Sequence, residues 1–247
     1  MIFPFRDEGP REHDGPLPEA CDLVVIGGGV IGVSTALHAA RAGLSVVLLE
    51  KGRIAAEQSS RNWGWIRVQG RDMAEIPIAL EAQELWPALD ADCDGRLGVK
   101  TVGVSYLARD DKDMAAYQGW LDEAKPLGVS SRMLDAAETR ALLGAEDSPW
   151  VGALHTPSDM KAEPWVAVPE LARLAAADGA VIREGCAVRG LDMQAGALAG
   201  VVTEHGRIRC TRAVLAGGAW SSLFLRRHGV SLPQLSVRST AMATERL

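Results

Sequence analysis

The chain has 247 residues with a formal net charge of −6, and 47% of the residues are hydrophobic, which is typical of one large or two small globular domains. The acidic balance argues against a nucleic-acid partner. No apolar run is long enough to span a bilayer. The four cysteines are scattered and lack metal-ligand spacing, so we predict buried cysteines, no metal site and a cytoplasmic location.

The first twenty residues differ in character from the rest of the chain. Residues 1–20 mix acids, bases and prolines, which is not the pattern of a secretory signal. We interpret them as an extended lead-in, and we expect the first domain to begin near residue 21.

A glycine-rich motif follows the first apolar run. Residues 23–26 are predicted to form a strand buried on both faces. Gly27, Gly29 and Gly32 come next in the G-x-G-x-x-G spacing. In this motif the first glycine permits a tight turn and the second lets backbone N–H groups approach a pyrophosphate. The third lets the next helix pack closely on the sheet.

The segment after the glycines completes a dinucleotide-binding pattern. A helix is predicted at residues 30–42 with its N-terminal end toward the phosphates, and a second buried strand at residues 45–49. Glu50 then lies 18 residues past the last glycine of the motif, close to the position of a ribose-binding carboxylate. A carboxylate there disfavours a 2′-phosphate, although Lys51 and Arg53 weaken that argument. The pattern predicts a bound dinucleotide that contains ADP.

A long loop comes next. Residues 51–72 are rich in Ser, Gly, Arg and Trp and lack periodicity, which is typical of a functional loop. A helix is predicted at residues 73–89, with Pro77 in its first turn and Pro87 ending or kinking it. The residues predicted to share its buried face are Ile78, Leu85 and Leu89.

The rest of the chain is predicted to alternate between short strands and helices. The predicted strands are residues 97–107, 130–134, 150–156, 181–183, 187–193, 198–203, 207–209, 213–216 and 235–244. The predicted helices are residues 111–127, 136–143, 165–178 and 221–228. Asp135 and Glu138 have the spacing of a capping box. We interpret Asp159 and Glu163 as turn and cap residues.

Together these elements resemble the flavin-dependent amine and amino-acid oxidoreductases of the D-amino-acid oxidase superfamily, which includes glycine oxidase, sarcosine oxidase and D-amino-acid dehydrogenase. Four features carry the resemblance in the expected order: the GGGVIG unit with Glu50, SSRNWG at residues 59–64, EGCAV at residues 184–188, and VLAGGAWS at residues 214–221. The last resembles the family's A-T-G-A-W-S, with Gly217 in place of Thr.

The resemblance implies an α/β fold with a Rossmann-like FAD-binding domain of the GR2 type and a second α+β substrate domain. It places the FAD-binding domain at residues 21–96 and 157–230, and the substrate domain at residues 97–156 and 231–247. In this family the loop at residues 59–64 contacts the flavin, and a backbone Val holds the adenine. The FAD-binding residues that it implies are Gly27, Gly29, Val30, Ile31, Gly32, Glu50, Lys51, Ser59, Ser60, Arg61, Asn62, Gly64, Val188, Ala216, Gly217, Gly218 and Trp220.

The resemblance also implies a reaction. The flavin N5 takes a hydride from the carbon that bears the amine of a small amine or amino acid, and the protein mainly orients the substrate and excludes water. The sequence identifies neither the substrate nor a catalytic side chain. Family members are usually longer and continue into a segment that covers the flavin ring. We therefore expect this segment to be missing here, and a fragment or truncated chain that is a poor catalyst alone.

Two other functions fit the same residues. One is a non-catalytic FAD-binding chain, or one that depends on a partner chain or on a second copy. The other, less favoured, is an NAD(P)-linked dehydrogenase that uses the same glycine motif.

Several side chains carry expectations of their own. Arg61 is predicted to contact the cofactor, whereas Arg109 and Arg132 are predicted to lie on the surface of the second domain. Trp63 and Trp65 have equal chances of lining a pocket or filling a core. Trp220 is predicted to pack at a strand–helix junction.

Overall fold

The computed structural model describes residues 10–238 and residue 240. Within them the strands are β1 (Leu23–Ile26), β2 (Val46–Leu49), β3 (Trp65–Ile66), β4 (Lys100–Thr101), β5 (Val104–Ala108), β6 (Arg132–Asp135), β7 (Gly152–Thr156), β8 (Met160–Lys161), β9 (Val181–Arg183), β10 (Val188–Gln194), β11 (Ala197–Thr203), β12 (Gly206–Arg209) and β13 (Ala213–Leu215). The helices are α1 (Val30–Arg41), α2 (Ile76–Asp92), α3 (Asp111–Ala124), α4 (Ala136–Leu143), α5 (Ala167–Ala177) and α6 (Ser221–Arg226).

The chain divides into two compact units, and the first is built from two separated segments. The first unit comprises the described residues of Met1–Trp63 and Pro164–Leu247, and the second comprises Gly64–Glu163. The predicted boundaries were therefore wrong for residues 64–96, 157–163 and 231–238. The reason is that β3 pairs with β8 and that Ile76, at the start of α2, lies in the second unit's core. Residues 231–238 belong to the first unit.

The first unit is organised around a parallel sheet in the order β13-β1-β2-β9. Strands β1 and β2 are buried along their whole length, as continuous apolar runs in parallel sheets usually are. Helix α1 packs against α5. A second, antiparallel sheet, β10-β11-β12, shares its core with the parallel one. Burial of Val24, Val47 and Val201 in this common core fixes the position of the loops that follow β1 and β2.

The second unit contains two small antiparallel sheets. One has the order β5-β7-β6 and carries α3 on β7. The other has the order β3-β8-β4. The core of this unit includes Val68, Ile76, Leu121 and Leu154. Strand β8 was missed in the sequence because its two residues lie in a segment rich in turn residues.

Helix α2 differs from its prediction in two ways. Pro87 lies inside the helix, which continues to Asp92. The buried residues are Ile76, Gln83 and Leu89, whereas Ile78 and Leu85 are exposed. Burial on both sides of the proline stabilises the helix, and this outweighs the single backbone hydrogen bond that a proline removes.

Other local predictions are confirmed. The capping box of α4 is present: Asp135 accepts from the Glu138 N–H at 2.8 Å, and Glu138 accepts from the Asp135 N–H at 3.1 Å. Cys93, Cys186 and Cys210 are buried and Cys21 is half-buried, all as free thiols. Burial raises the pKa of the Cys21 thiol to about 11.

The last predicted strand is not formed where the structure describes it. Residues 235–238 and 240 make no strand pairing, because Leu235 and Val237 are 89% and 80% exposed and pack on no neighbouring strand. The remaining residues of the predicted strand lie outside the described part of the chain. Among the described residues, no helix is long and apolar enough to cross a membrane.

Candidate functional site

A cavity of about 700 Å³ lies at the carboxyl ends of β1, β2 and β13. This is the edge of a parallel sheet where ligands usually bind, and the volume is within the range of ligand pockets. All of its lining residues belong to the first unit. The predicted FAD-binding residues that line it are Gly27, Gly29, Val30, Ile31, Glu50, Lys51, Ser59, Asn62, Val188, Ala216, Gly217, Gly218 and Trp220.

Two of the motif glycines bring backbone segments into contact. Gly27 has a φ of +114°, and a Cβ built on it would lie 2.4 Å from the Ala216 carbonyl oxygen. A Cβ on Gly32 would lie 1.8 Å from the Gly27 carbonyl oxygen. The predicted roles of these glycines in the tight turn and in close helix packing are therefore confirmed. Gly32 does not line the cavity.

Gly29 has a different environment. Its backbone is extended, with a φ of −78°, so a larger residue could adopt it. The one atom within 4 Å of a Cβ built there would be the Ser59 hydroxyl oxygen, at 3.1 Å. Gly29 therefore leaves space at the start of α1 without being required by the backbone conformation.

The start of α1 is suited to an anion. The first four N–H groups of a helix have no partner inside it, and the helix dipole favours negative charge there. The Ser59 hydroxyl accepts from the Val30 N–H at 2.9 Å. No acidic residue occupies the first turn. Apart from the Val30 N–H, which donates to Ser59, the positive end of the helix is available to a ligand.

Glu50 is held at the end of β2 by two backbone groups. One carboxylate oxygen accepts from the Gly28 N–H at 2.7 Å, and the other accepts from the Gly52 N–H at 2.7 Å. The side chain is buried yet lines the cavity. Each oxygen keeps a second lone pair, so Glu50 can also accept from hydroxyl groups of a ligand.

Lys51 and Trp220 form one wall of the cavity. The Lys51 ammonium lies 4.3 Å from the centroid of the Trp220 ring, and it pairs with Glu57 at 2.6 Å. Trp220 is 42% exposed. Trp220 lies at the predicted strand–helix junction, between β13 and α6, and it also lines the cavity with a cation over its ring.

The segment after β13 adds residues that sequence reasoning missed. The Gln234 side chain donates to the Gly218 carbonyl at 2.9 Å and accepts from the Ser222 N–H at 3.1 Å. No local pattern marks these residues, because the chain returns to the cavity only through tertiary structure. The missed lining residues of this segment are Ser221, Leu223, Phe224, Arg227, Leu232 and Gln234.

Three other predicted site residues lie outside this cavity. Ser60 is buried, and its carbonyl accepts from the Trp165 indole N–H at 2.8 Å. Gly64 belongs to the second unit, where its carbonyl accepts from the Ala162 N–H at 2.9 Å. Arg61 lines a second, polar cavity.

The second cavity measures about 450 Å³ and shares residues with the first. Its ionised side chains are Arg11, Lys51, Arg53, Arg61, Arg189, Glu50, Glu57 and Glu204. Arg189 pairs with Glu204 and holds the pKa of that carboxyl below its ordinary value. The cations outnumber the carboxylates, which favours anionic groups near this cavity.

The other aromatic and basic side chains of the loop are more exposed than core residues. Trp63 and Trp65 are 65% and 41% exposed, so neither fills a core. Arg67 lies 5.5 Å from the Trp65 ring. Arg109 and Arg132 are exposed in the second unit, as predicted.

The geometry fits a dinucleotide. Gly29 leaves space beside the positive end of α1, and the buried carboxylate of Glu50 lies at the end of β2. The walls at Ile26, Val188 and Leu215 are apolar. A pyrophosphate, a ribose and a flat base require these three environments.

The family model described as DAO, FAD dependent oxidoreductase, matches residues 22–247. The chain belongs to this FAD-dependent family. Human mitochondrial sarcosine dehydrogenase is 30% identical over 250 residues, which cover 97% of this chain and 27% of that protein. The mitochondrial pyruvate dehydrogenase phosphatase regulatory subunit of Mus musculus is 27% identical over 85% of this chain and 24% of that protein.

A solved structure shows the same fold. The L-amino acid deaminase from Proteus myxofaciens, in complex with anthranilate, has a TM-score of 0.86 and 33% identity. The match covers 93% of this chain and 52% of that one. The chain thus spans about a quarter of the two mitochondrial relatives and half of the deaminase. The predicted α/β fold and the predicted family are confirmed.

Proposed function

We propose that the chain holds FAD in the cavity at the carboxyl end of the parallel sheet and serves the oxidation of a C–N bond in a small amine or amino acid. One observation carries the proposal: Gly29 at the start of α1, where a Cβ would meet only the Ser59 hydroxyl, faces the same cavity as the buried carboxylate of Glu50. Membership of an FAD-dependent family supports the choice of cofactor.

Each part of the cofactor has a matching environment in the cavity. Gly29 and the first-turn N–H groups of α1 would hold the pyrophosphate, because they combine space with a positive potential. Glu50 would accept from the ribose hydroxyls. The backbone at Val188 would hold the adenine. The remaining wall that faces the cofactor is formed by Lys51 and Trp220.

The bound flavin supplies a hydride acceptor for the carbon that bears the amine. The chain's own residues contribute binding and orientation, and the apolar walls at Ile26, Val188 and Leu215 exclude water from the part of the cofactor that they cover. No general acid or base is assigned to this chain. The substrate is proposed only as a class, since sarcosine and L-amino acids appear in the names of different relatives.

Gly29→Val tests the cofactor site. The backbone at this position tolerates a side chain, so the variant should fold, while its methyl groups would occupy the space that the pyrophosphate needs. We expect the FAD dissociation constant to rise by at least about a hundredfold, a cost of ~2.7 kcal/mol. The measurement is quenching of flavin fluorescence during titration of apoprotein.

The matched control is Gly119→Ala, because a Cβ built on Gly119 meets nothing within 4 Å and the residue lies in α3 of the second unit. Its FAD affinity should equal that of the original chain. Equal FAD affinity in Gly29→Val and in the original chain would contradict the proposed site.

A second candidate function is a non-catalytic FAD-binding chain that acts through a partner. The similarity to a regulatory subunit favours it. Anaerobic titration with glycine, sarcosine and D- and L-amino acids separates the two functions. Loss of the oxidised flavin absorbance with one of these compounds supports the oxidoreductase. Stable FAD binding without reduction, together with co-purification of a stoichiometric partner, supports the second candidate.

A further inference from the structure

A second buried glutamate lies behind the cavity. Glu184 directly follows β9 and is 4% exposed, and it does not line either cavity described above. One of its carboxylate oxygens accepts from the Ile54 N–H at 2.8 Å. The other accepts from the Glu12 and His13 N–H groups, at 3.0 and 3.2 Å. One carboxylate thus joins three segments that are far apart in the sequence.

The loop held by Glu184 is the one that walls the cofactor cavity. Backbone hydrogen bonds tie its first part to the segment after β9, from Cys186 N–H to Glu50 at 2.8 Å and from Gly185 N–H to Gly52 at 2.9 Å. After Gly52 the loop leaves this ladder. There the Ile54 N–H finds its acceptor in the Glu184 side chain.

The next residue has a strained backbone. Ala55 is buried, lines the cavity and has a φ of +64°, a left-handed conformation that costs free energy for any residue with a Cβ. Such strain persists only where the surroundings hold it. On one side, the Ala55 N–H donates to the Gly28 carbonyl at 3.0 Å. On the other side, Glu184 holds Ile54.

This contact reaches the glycine motif itself. A Cβ built on Gly28 would lie 2.5 Å from the Ile54 side chain, so Ile54 and Ala55 pack directly on the turn that follows β1. The Gly28 N–H also donates to Glu50. Any shift of Ile54 would therefore move the backbone at Gly28, which faces the cavity. It would also move Glu50, the residue proposed to bind the ribose.

We propose that Glu184 is a positioning residue for the cofactor site. Its carboxylate holds Ile54 and Ala55 against Gly28, and its hydrogen bonds to Glu12 and His13 make the N-terminal segment a strap across the back of that loop. The proposal rests on the proposed FAD site and adds the element that preorganises it. A preorganised loop loses less conformational freedom on binding, and this raises affinity.

Glu184→Gln tests the proposal. The amide keeps one acceptor oxygen but places an NH2 donor against the backbone N–H groups on its other side, so only one of the two segments can be held. We expect the FAD dissociation constant to rise at least tenfold. Hydrogen exchange of the apoprotein should accelerate in residues 10–15 and 51–56, without a matching change across the rest of the first unit.

Asp22→Asn is the matched control. Asp22 accepts from the Ser45 N–H at 2.8 Å and from the Ser45 hydroxyl at 2.6 Å, at the amino ends of β1 and β2 and away from the cavity lining. It should leave FAD affinity unchanged. Glu184→Asp keeps the charge on a shorter side chain and supplies the measurement if the glutamine variant does not fold. Ala55→Gly in the Glu184→Gln background should recover part of the lost affinity, because glycine adopts the left-handed conformation freely.

The outcomes separate this proposal from the FAD site itself. Unchanged affinity and unchanged local exchange in Glu184→Gln, in a chain that binds FAD, would overturn the positioning role and leave the proposed function intact. An affinity loss equal to that of Asp22→Asn would overturn it as well. Failure of the original chain to bind FAD would refute the proposed function, and unchanged exchange at residues 51–56 would then still refute the role of Glu184.

Discussion

The loops around the cavity and the interior of the second unit both depend on buried groups, but they use buried carboxylates for different ends. Around the cavity, glycines let backbone segments touch, as Gly32 does on Gly27. In the second unit, buried polar side chains connect the segments. Asp159 is fully buried and accepts from the Val68 N–H at 2.8 Å and from the Gln83 amide at 2.7 Å.

The same hydrogen-bonding chemistry therefore serves two purposes. Glu50 and Asp159 are both buried carboxylates that accept from two backbone N–H groups. Glu50 also faces a cavity and keeps lone pairs that can accept from a ligand. Asp159 instead uses a third lone pair to accept from the Gln83 amide. The carboxylate of Glu50, at the edge of the sheet, can therefore bind a ligand, whereas that of Asp159, in the interior, stabilises the fold. The difference predicts which changes damage each region.

The largest effect is expected at Gly32. A Cβ there would lie 1.8 Å from a backbone oxygen that cannot move without displacing β1 or α1. Gly32→Ala should lower the free energy of unfolding by about 3 kcal/mol or more, with loss of FAD binding, as measured by chemical denaturation. Gly119→Ala, in the open part of α3, should instead stabilise the protein by about 0.5–1 kcal/mol. Equal stability in the two variants would show that close backbone packing does not govern the cavity region.

The next largest effects are expected when each of the two carboxylates is replaced by its amide. Asp159→Asn should lower the free energy of unfolding by about 2–4 kcal/mol, because its NH2 group would face a backbone N–H in a dry interior. Glu50→Gln should mainly weaken FAD binding, by about 1–3 kcal/mol. Denaturation and FAD titration of both variants give the measurement. The comparison fails if Asp159→Asn weakens FAD binding as much as Glu50→Gln does.

The pH dependence sharpens the same comparison. Burial raises the pKa of Asp159 above its ordinary value of 3.8, against the opposing hydrogen bonds from Val68 and Gln83. The folded state therefore binds this proton more tightly than the unfolded state. Between 3.8 and the folded pKa, stability falls as the pH rises. The stability difference between the original chain and Asp159→Asn should accordingly shrink as the pH rises from about 4.

The smallest effect is expected at Arg61. It lines the polar cavity next to the cofactor site, so its charge acts at a distance and is screened by salt. Arg61→Ala should weaken FAD binding by about 0.5–1 kcal/mol, and the loss should diminish in 1 M salt. Arg109→Ala and Arg132→Ala, in the second unit, should leave FAD affinity unchanged. An equal loss in all three variants would remove Arg61 from the cofactor region.

Local patterns predicted the glycine-rich unit well. The strand, the three glycines, the helix and the acid at position 50 lie within 30 consecutive residues, and their geometry depends on neighbours in the sequence. The capping box of α4 was predicted for the same reason, since Asp135 and Glu138 are one turn apart. In both cases a short spacing determines the contact.

What the sequence alone determined about this protein is the strand–helix–strand unit around the glycine motif, the roles of its first and third glycines, and its resemblance to a flavin-dependent family. Only the tertiary structure decided the continuation of α2 past Pro87 and the boundary between the two units at Gly64. It also decided the buried position of Asp159 and the hydrogen bond between Glu184 and the Ile54 N–H. The physical reason is distance along the chain. Asp159 and Glu184 find their backbone donors 91 and 130 residues away. Burial in a common core brings such partners together, and the spacing of neighbouring residues in the sequence does not indicate these contacts.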